Sequence, residues 1–351
     1  AELFAQVYDV TEHGNWEDTN ILNRPKTYAQ SARLMKMAEP GLRERLREAK
    51  QKLLQVRSQR VWPGRDEKIL TAWNGLMIAA FARVARMLGA TSAPGTRAAA
   101  ASAGYLASAT RAASFVRDRM WNASTRTLLR RYRAGQAAID AYAEDYAFLV
   151  AGLLELFQAD PDPAWLEWAV ALQEAQDARF WDEADAGWFS TTGGDPSVLL
   201  RLKEEYDGAE PAPGSVATLN SIVLAHLTGR REFTERAERT LARYGPRLGE
   251  AARALPFMMA ALATWHAGIE QIVVVGQSGA PDTEAMRAAV ARRYRPFAVV
   301  IPVEPGERQK ALAGLLPFIG PMTMRDGRAT TYVCREFMCQ EPVTDPAAFG
   351  A

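Results

Sequence analysis

Long stretches of the chain carry apolar residues at helical spacing, and short loops marked by glycine or proline separate them. Helices that are apolar on nearly all sides alternate with helices that have a polar face, which is typical of an inner layer shielded by an outer one. The pattern therefore predicts a mainly α fold, an α/α toroid of helical hairpins. The predicted hairpins pair 66–89 with 97–121, 138–158 with 163–181, and 216–229 with 231–245.

Further elements flank these hairpins. An amphipathic helix is predicted at 41–60 and another helix at 256–268, with short strands in the loops at 127–133 and 187–192. After Gly268 the pattern changes to a buried strand run, a helix, a second strand and a third strand at 329–334. We therefore predict a helical region, 1–268, followed by a small α/β appendage, 269–351.

Composition narrows the function classes. The 351 residues include 42 Lys and Arg against 41 Asp and Glu, a net charge of +1. Without a basic run or a long apolar segment, neither nucleic acid nor a membrane is predicted as a partner. The first residues carry no signal-peptide pattern, so the expected location is the cytoplasm.

Cysteine and histidine give little sign of metal or redox chemistry. Cys334 and Cys339 form a C-x4-C pair without further ligands nearby, and we expect two reduced thiols of small hydrophobic character. The three histidines share no ligand spacing, so we predict no metal site and no cofactor.

The helix predicted from residue 66 begins with unusually polar residues. Asp66 and Lys68 lie in or before its first turn, Trp73 follows, and Asn74 falls on a stripe with apolar neighbours. A capping Asp, a solvated Lys and a hydrogen-bonded Asn explain this structurally. A polar cluster at the mouth of a central cavity explains it functionally, and both interpretations stay open.

Two further acidic stretches precede inner helices. Glu144 and Asp145 enter an otherwise apolar helix just before Tyr146; one is expected to be a surface acid, and Asp145 to face the cavity or to be structural. The loop 199–215 brings Asp207 and Glu210 to a turn, and Ser215 is expected to cap the next helix.

Six further segments stand out: EHGNWEDTNIL (12–22), RVWPGRDEKILTAWNGLMIAA (60–80), EDYAFLVAGLLELF (144–157), GWFST (187–191), LLRLKEEYDGAEP (199–211) and TTYVCREFMCQEPVTDP (330–346). They resemble the YyaL-like, spermatogenesis-associated thioredoxin-domain family, and the W-N-G-L and C-x4-C-x-x-P-V-T-D-P elements are specific to it.

The resemblance implies an N-terminal thioredoxin-like domain followed by an (α/α)6 barrel similar to sugar epimerases and six-hairpin glycosidases. This chain corresponds to the C-terminal part of that barrel. A half barrel would expose its apolar inner face. We therefore predict as partner the missing N-terminal half of the protein, as a separate or cleaved chain, or a second copy of this chain.

One loop departs from the family pattern. After D-G-A-E-P the family usually has Ser-Gly-Asn-Ser, whereas residues 212–215 are Ala-Pro-Gly-Ser. Only Asp207, Glu210 and Ser215 therefore carry over from this loop.

Two functions fit these observations. The first is acid/base chemistry of epimerase or glycosidase type on a sugar, which needs carboxylates across a cavity. The second is a non-enzymatic scaffold that binds a ligand or a partner beside a thioredoxin-like domain. The predicted catalytic residues are Asp66, Asp145, Asp207 and Glu210, and the predicted sugar contacts are Trp16, Lys68, Trp73, Asn74, Tyr146 and Ser215.

Overall fold

The computed structural model describes residues 1–92, 95–194 and 198–350, and contacts divide the chain into two units after Asp66. The first unit packs α1 (Glu2–Val7), α2 (Tyr28–Leu34) and α3 (Glu39–Ser58) around a small apolar core. Thr27 and Gln30 close the start of α2 with a reciprocal capping box. The core consists of Val7, Ala32, Leu42 and Leu46.

The second unit begins with a helical region. Its elements are β1 (Ile69–Leu70), α4 (Thr71–Thr91), α5 (Arg97–Met120), β2 (Trp121–Asn122), β3 (Thr127–Arg133), β4 (Gln136–Asp140), α6 (Ala143–Ala159), α7 (Pro163–Phe180), α8 (Pro213–Thr228), α9 (Arg231–Ala251) and α10 (Pro256–Ala267).

These helices form two layers. The inner helices α4, α6, α8 and α10 contact one another in succession, and the outer helices α5, α7 and α9 pack against them. α6 and α8 are buried on most of their residues because neighbours cover them on several sides. This confirms the predicted fold class, a mainly α part of an (α/α)6 toroid of helical hairpins with a small C-terminal α/β appendage.

Two glycines set the contact between α4 and α6. A Cβ on Gly75 would lie 2.5 Å from the carbonyl carbon of Phe148, and one on Gly152 would lie 2.6 Å from the carbonyl oxygen of Gly75. The two backbones therefore touch where no side chain fits. The buried residues of α4 are consequently small or aliphatic: Thr71, Ala72, Gly75, Ile78, Ala82 and Ala85.

The α/β appendage packs on the helical layers. Its elements are β5 (Glu270–Val275), α11 (Pro281–Ala291), β6 (Ala298–Val303), α12 (Glu307–Leu315), β7 (Thr330–Arg335) and β8 (Met338–Cys339). The strand order is β6-β5-β7-β8; β5 and β6 are parallel, and β7 is antiparallel to β5. Alternate residues of β5 join two cores: Val273 and Val275 pack with the helices, and Ile272 and Val274 with α11. The predicted boundary between 1–268 and 269–351 stays a prediction.

Several expected elements differ in the structure. The segment before Thr71 is extended because Ile69 and Leu70 pair with β3, so Asp66 and Lys68 do not lie in a helical turn. Residues 136–140 form β4, so α6 starts at Ala143 rather than at 138. The strand expected at 187–192 is reduced to one bridge between Trp181 and Trp188. α12 was not predicted from the sequence.

The two cysteines also correct an expectation. Cys334 and Cys339 form a disulfide, with 3.9 Å between their Cα atoms. The β7–β8 register places them directly opposite each other, which the spacing C-x4-C alone did not indicate. The expectation of two reduced thiols is therefore wrong.

Candidate functional site

The N-terminal ends of the inner helices meet at one end of the second unit. Asp145, in the first turn of α6, accepts a hydrogen bond from the backbone N–H of Ala72 in the first turn of α4. Asp207 joins the start of α8 to the start of α10 in the same manner. Because helix N-termini favour negative charge, acidic residues gather here. We call the exposed part of this end, formed by Trp73, Arg130, Glu144, Glu204 and Glu210, the N-terminal rim.

Asp145 is a buried cap. Its side chain is 0% exposed, and its oxygens accept from the N–H of Ala72 at 3.0 Å, from the N–H of Tyr142 at 2.9 Å and from Arg130 Nη1 at 2.9 Å. Burial raises its pKa to about 6, against the opposing effects of Arg130 and the two N–H groups. The carboxylate that the sequence left either facing a cavity or structural thus holds two helix ends.

Asp207 has a similar role from a loop. Oδ1 accepts from the N–H of Ala212 at 2.7 Å, and Oδ2 accepts from Phe257 and Met258 at 2.7 and 3.3 Å. The side chain is buried, at 8% exposure. Three backbone donors therefore occupy the carboxylate.

One exposed carboxylate of the rim, that of Glu210, binds a tryptophan. Trp73 is 58% exposed, and its indole Nε1 donates to Glu210 Oε1 at 3.0 Å. The hydrogen bond holds the ring at its edge while most of its surface remains open to solvent. Such a face can stack on the apolar face of a ligand while the carboxylates bind its hydroxyl groups.

Glu204 was not singled out from the sequence. Burial raises the pKa of its carboxyl group, and the nearby charges of Glu144, Glu210 and Asp207 raise it further. A carboxyl group with a raised pKa, surrounded by other carboxylates, is suited to general acid chemistry. The signal in the sequence was its position in the acidic run K-E-E-Y-D, which points to a cluster but does not choose among its members.

Arg130 orders the other side of the rim. Its Nη1 donates to Glu144 Oε1 at 2.6 Å and to buried Asp145 at 2.9 Å, and its guanidinium lies 4.5 Å from the centre of the Tyr142 ring. Glu144, not Asp145, is therefore the acid of this pair that reaches the surface. Of the two places expected for Asp145, the structure shows the structural one, because the register of α6 turns residue 145 toward the first turn of α4.

A cleft adjoins the rim at Glu204. Described residues enclose about 400 Å³ beside the loop that follows α7. Ser190, Leu200, Lys203 and Glu204 are among its lining residues. The cleft combines apolar and charged groups beside the carboxyl group whose pKa is raised.

Three predicted contact residues have structural partners. Asn74 is half-buried and donates to the carbonyl oxygen of Leu70 at 2.8 Å, because Gly75 rather than Asn74 faces α6. Tyr146 is buried, and its hydroxyl accepts from the N–H of Leu128 at 3.0 Å. Ser215 does not cap α8; its Oγ is buried without a hydrogen-bond partner in the described residues, and Asp207 binds the Ala212 N–H instead.

The remaining predicted residues lie outside the rim. Trp16 belongs to the first unit, where it is 60% exposed and starts a tight turn closed by Thr19. Asp66 is the last residue of that unit, and Lys68 lies in the extended segment before β1. Within the second unit, the structure brings together the predicted residues Trp73, Asp145, Asp207 and Glu210. The assigned catalytic and sugar-binding roles stay predictions.

The described residues contain no group of three or more His, Cys, Asp or Glu side chains able to hold a metal ion. Within the same residues, none of the helices has the length and apolar character required to cross a membrane.

Comparison with known proteins finds clear relatives. Spermatogenesis-associated protein 20 of Homo sapiens is 32% identical over 98% of this chain, and the mouse protein is 34% identical over 84%. A Caenorhabditis elegans protein described as uncharacterised is 28% identical over 94%.

The chain is homologous to spermatogenesis-associated protein 20. This confirms the resemblance found in the sequence. The chain spans 45% of the human spermatogenesis-associated protein 20, 37% of the mouse protein and 44% of the worm relative, so it matches about half the length of these relatives or less. No family model matches the chain.

Two solved structures match about half of the chain. A glycoside hydrolase family 76 mannosidase from Bacteroides thetaiotaomicron matches 52% of this chain and 45% of its own, with a TM-score of 0.37 and 13% identity. The cellobiose 2-epimerase of Spirochaeta thermophila matches 52% of this chain and 44% of its own, with a TM-score of 0.38 and 18% identity.

Proposed function

We propose that the N-terminal rim binds a carbohydrate and performs acid/base chemistry on it, of epimerase or glycosidase type. The observation that carries this proposal is the exposed Trp73 ring, held at its edge by Glu210, whose charge also acts on the carboxyl group of Glu204. An aromatic face with hydrogen-bonding groups at its margin matches a sugar, which has an apolar face and a rim of hydroxyls.

Within this proposal the acids have separate roles. Glu204 is the general acid, since its raised pKa keeps it protonated to a higher pH than an isolated glutamate. Glu210 positions Trp73 and accepts from a sugar hydroxyl. Glu144, held by Arg130, is the second carboxylate at the surface. Asp145 and Asp207 support the helix ends and do not contact the sugar.

The test uses proton NMR in heavy water with a panel of neutral and N-acyl sugars. Saturation transfer reports binding, loss of the C2 proton signal reports epimerisation, and new reducing-end signals report hydrolysis. We expect Trp73→Ala to abolish saturation transfer, while Tyr294→Ala, which removes another exposed aromatic ring, leaves it unchanged. Equal binding by the Trp73→Ala variant, or no transfer to any sugar, contradicts the proposal.

The role of Glu204 as general acid is tested by comparing two Glu→Gln variants. Glu204→Gln removes the acid but keeps the size of the side chain, and turnover is expected to fall by about 100-fold or more. Glu307→Gln removes an exposed carboxylate that pairs with Lys310 and serves as the control. If the unmodified chain binds a sugar but does not convert it, the protein is a sugar-binding module, and the catalytic part of the proposal is wrong.

A second candidate function, binding of a polypeptide, is favoured by one face of α4. Trp73, Met77, Val84 and Met87 recur at helical spacing and are more than a third exposed on a helix whose other side is core. We propose that this face is covered by further chain of the same protein, in line with the greater length of the relatives, or by a second copy.

Mass and shape measurements separate these partners. Light scattering with intact mass spectrometry gives the composition of the particle, and Met77→Lys is expected to release the partner, while Arg111→Lys on the outer helix α5 is the control. A folded monomer of this chain alone would contradict the proposal that α4 binds a polypeptide.

A further inference from the structure

A second cluster of ligand-type side chains lies in the first unit and contains none of the residues of the N-terminal rim. The rings of Tyr8 and Tyr28 pack on the core of Val7, Ala32, Leu42 and Leu46, which fixes them in place. Their hydroxyl groups meet at 3.4 Å. This is longer than the usual O–H···O distance of about 2.7–2.8 Å, so the contact is weak and both hydroxyls can donate to a ligand.

Three cations surround these two rings. The guanidinium carbons of Arg24 and Arg43 lie 4.0 and 4.1 Å from the centre of the Tyr28 ring. Two guanidinium groups at such distances avoid each other only by taking opposite faces of the ring. Lys50 Nζ lies 5.1 Å from the centre of the Tyr8 ring. Positive charge is thus concentrated around two hydroxyl groups.

Ion pairing leaves two of these charges uncompensated. Arg43 pairs with Glu39 at 2.6 Å, whereas Arg24 and Lys50 have no carboxylate within ion-pair distance in the described residues. Residues 24–60 hold eleven Lys and Arg against three Asp and Glu, an excess of eight, although the whole chain carries only +1. The local field therefore favours an anion, and two unpaired cations match a dianion.

The pKa of Tyr28 responds to the same groups. The hydrogen bond with Tyr8 lowers it most, burial opposes this, and the charges of Lys50 and Arg24 lower it further. Both cations therefore act on the hydroxyl pair as well as on the rings.

We propose that Arg24, Lys50, Tyr8 and Tyr28 form a binding site for a phosphate group, carried by inorganic phosphate or by a phosphorylated small molecule. A phosphate monoester carries a charge of about −1.5 to −2 at neutral pH and accepts several hydrogen bonds, which matches two cations and two phenol donors. The site is independent of the carbohydrate proposal, since none of its residues belongs to the rim.

Isothermal titration calorimetry on the full chain tests the site, with inorganic phosphate, glucose 6-phosphate and glucose as separate titrants at physiological salt. We expect saturable one-to-one binding of at least one phosphate titrant. Arg24→Gln and Lys50→Gln should each weaken it by about tenfold, the loss of one charge-assisted contact. Tyr28→Phe keeps the ring and its stacked cations, and should weaken binding by a smaller factor.

Lys52→Gln is the matched control. It removes the same charge two residues further along α3, and two residues turn a helix by about 200°, so Lys52 points away from the cluster. Equal losses in Lys50→Gln and Lys52→Gln would show a non-specific field and overturn the site. Glucose binding as tightly as glucose 6-phosphate, or tight binding of a single-stranded oligonucleotide with equal losses in all charge variants, would also overturn it. If the Arg24→Gln variant does not fold, the Lys50→Gln variant tests the site by itself, because Lys50 is exposed.

Discussion

The two inner helix pairs, α4 with α6 and α8 with α10, join their N-terminal ends by the same device but from different parts of the sequence. Asp145 belongs to α6 itself, and a cation, Arg130, accompanies it. Asp207 reaches its two helices from a loop, and within the described residues its carboxylate binds only backbone donors. In the first pair, α4 and α6, the two backbones touch at Gly75 and Gly152. In the second pair, α8 and α10, the loop that carries Asp207 also brings Glu204 and Glu210 to the surface. The comparison indicates that the first pair mainly stabilises the fold, whereas the loop of the second pair carries the candidate catalytic acids.

The largest expected effect is at Asp145. Asp145→Ala leaves two buried N–H groups and part of the Arg130 charge without a partner, and should lower the free energy of unfolding by about 3–5 kcal/mol. Urea denaturation followed by circular dichroism measures it. Asp162→Ala, at an exposed helix cap, is the control and should cost about 1 kcal/mol. Similar values for both variants would mean that burial of the cap is unimportant.

The pH dependence of stability should be almost as large. The pKa of Asp145 is raised to about 6, so the folded state binds its proton more tightly than the unfolded state does. Its stabilising contribution is then complete below about pH 4 and is lost as pH rises through about 6, by about 3 kcal/mol. Unfolding experiments between pH 4 and 7 on the wild type and Asp145→Asn isolate this contribution. A wild-type advantage that grows with pH would show that pairing with Arg130 dominates instead.

Asp207→Ala should lower the free energy of unfolding by about 2–3 kcal/mol, less than Asp145→Ala. Three backbone N–H groups lose their acceptor, but no cation loses its partner. The same denaturation assay applies. Asp207→Asn retains one acceptor oxygen and should recover part of the loss. A cost for Asp207→Ala above that of Asp145→Ala would reverse the comparison between the two helix pairs.

The smallest effect on stability is expected at the rim. Glu210→Gln should change the free energy of unfolding by less than about 0.5 kcal/mol, as for other surface substitutions. It should nevertheless lower the pKa of Glu204, since the charge of Glu210 helps to raise it. Carbon-detected NMR titration of the glutamate carboxyl groups measures the shift, with Glu307→Gln as the control. An unchanged pKa would separate Glu204 from the carboxylate cluster.

The sequence predicted the larger elements well because their apolar residues recur at helical spacing over many turns. Helices 97–121 and 163–181 end within one residue of α5 and α7. It placed the start of α4 five residues too early, since the pairing of Ile69 and Leu70 with β3 depends on a strand more than fifty residues away. The buried stripe of α4 was displaced for a similar reason: the side of the helix that is buried follows from the glycine contact with α6.

By itself, the sequence determined the layered α fold, the α/β appendage, the relationship to spermatogenesis-associated protein 20 and the acidic character of the helix starts. Only the tertiary structure decided which carboxylates are buried and hydrogen-bonded to backbone N–H groups. Periodicity reports which residues prefer burial, but the role of a carboxylate depends on the donors that reach it, and those of Asp145 and Asp207 come from helices distant in sequence. The same distant contacts left Glu204, Glu210 and Trp73 at the surface.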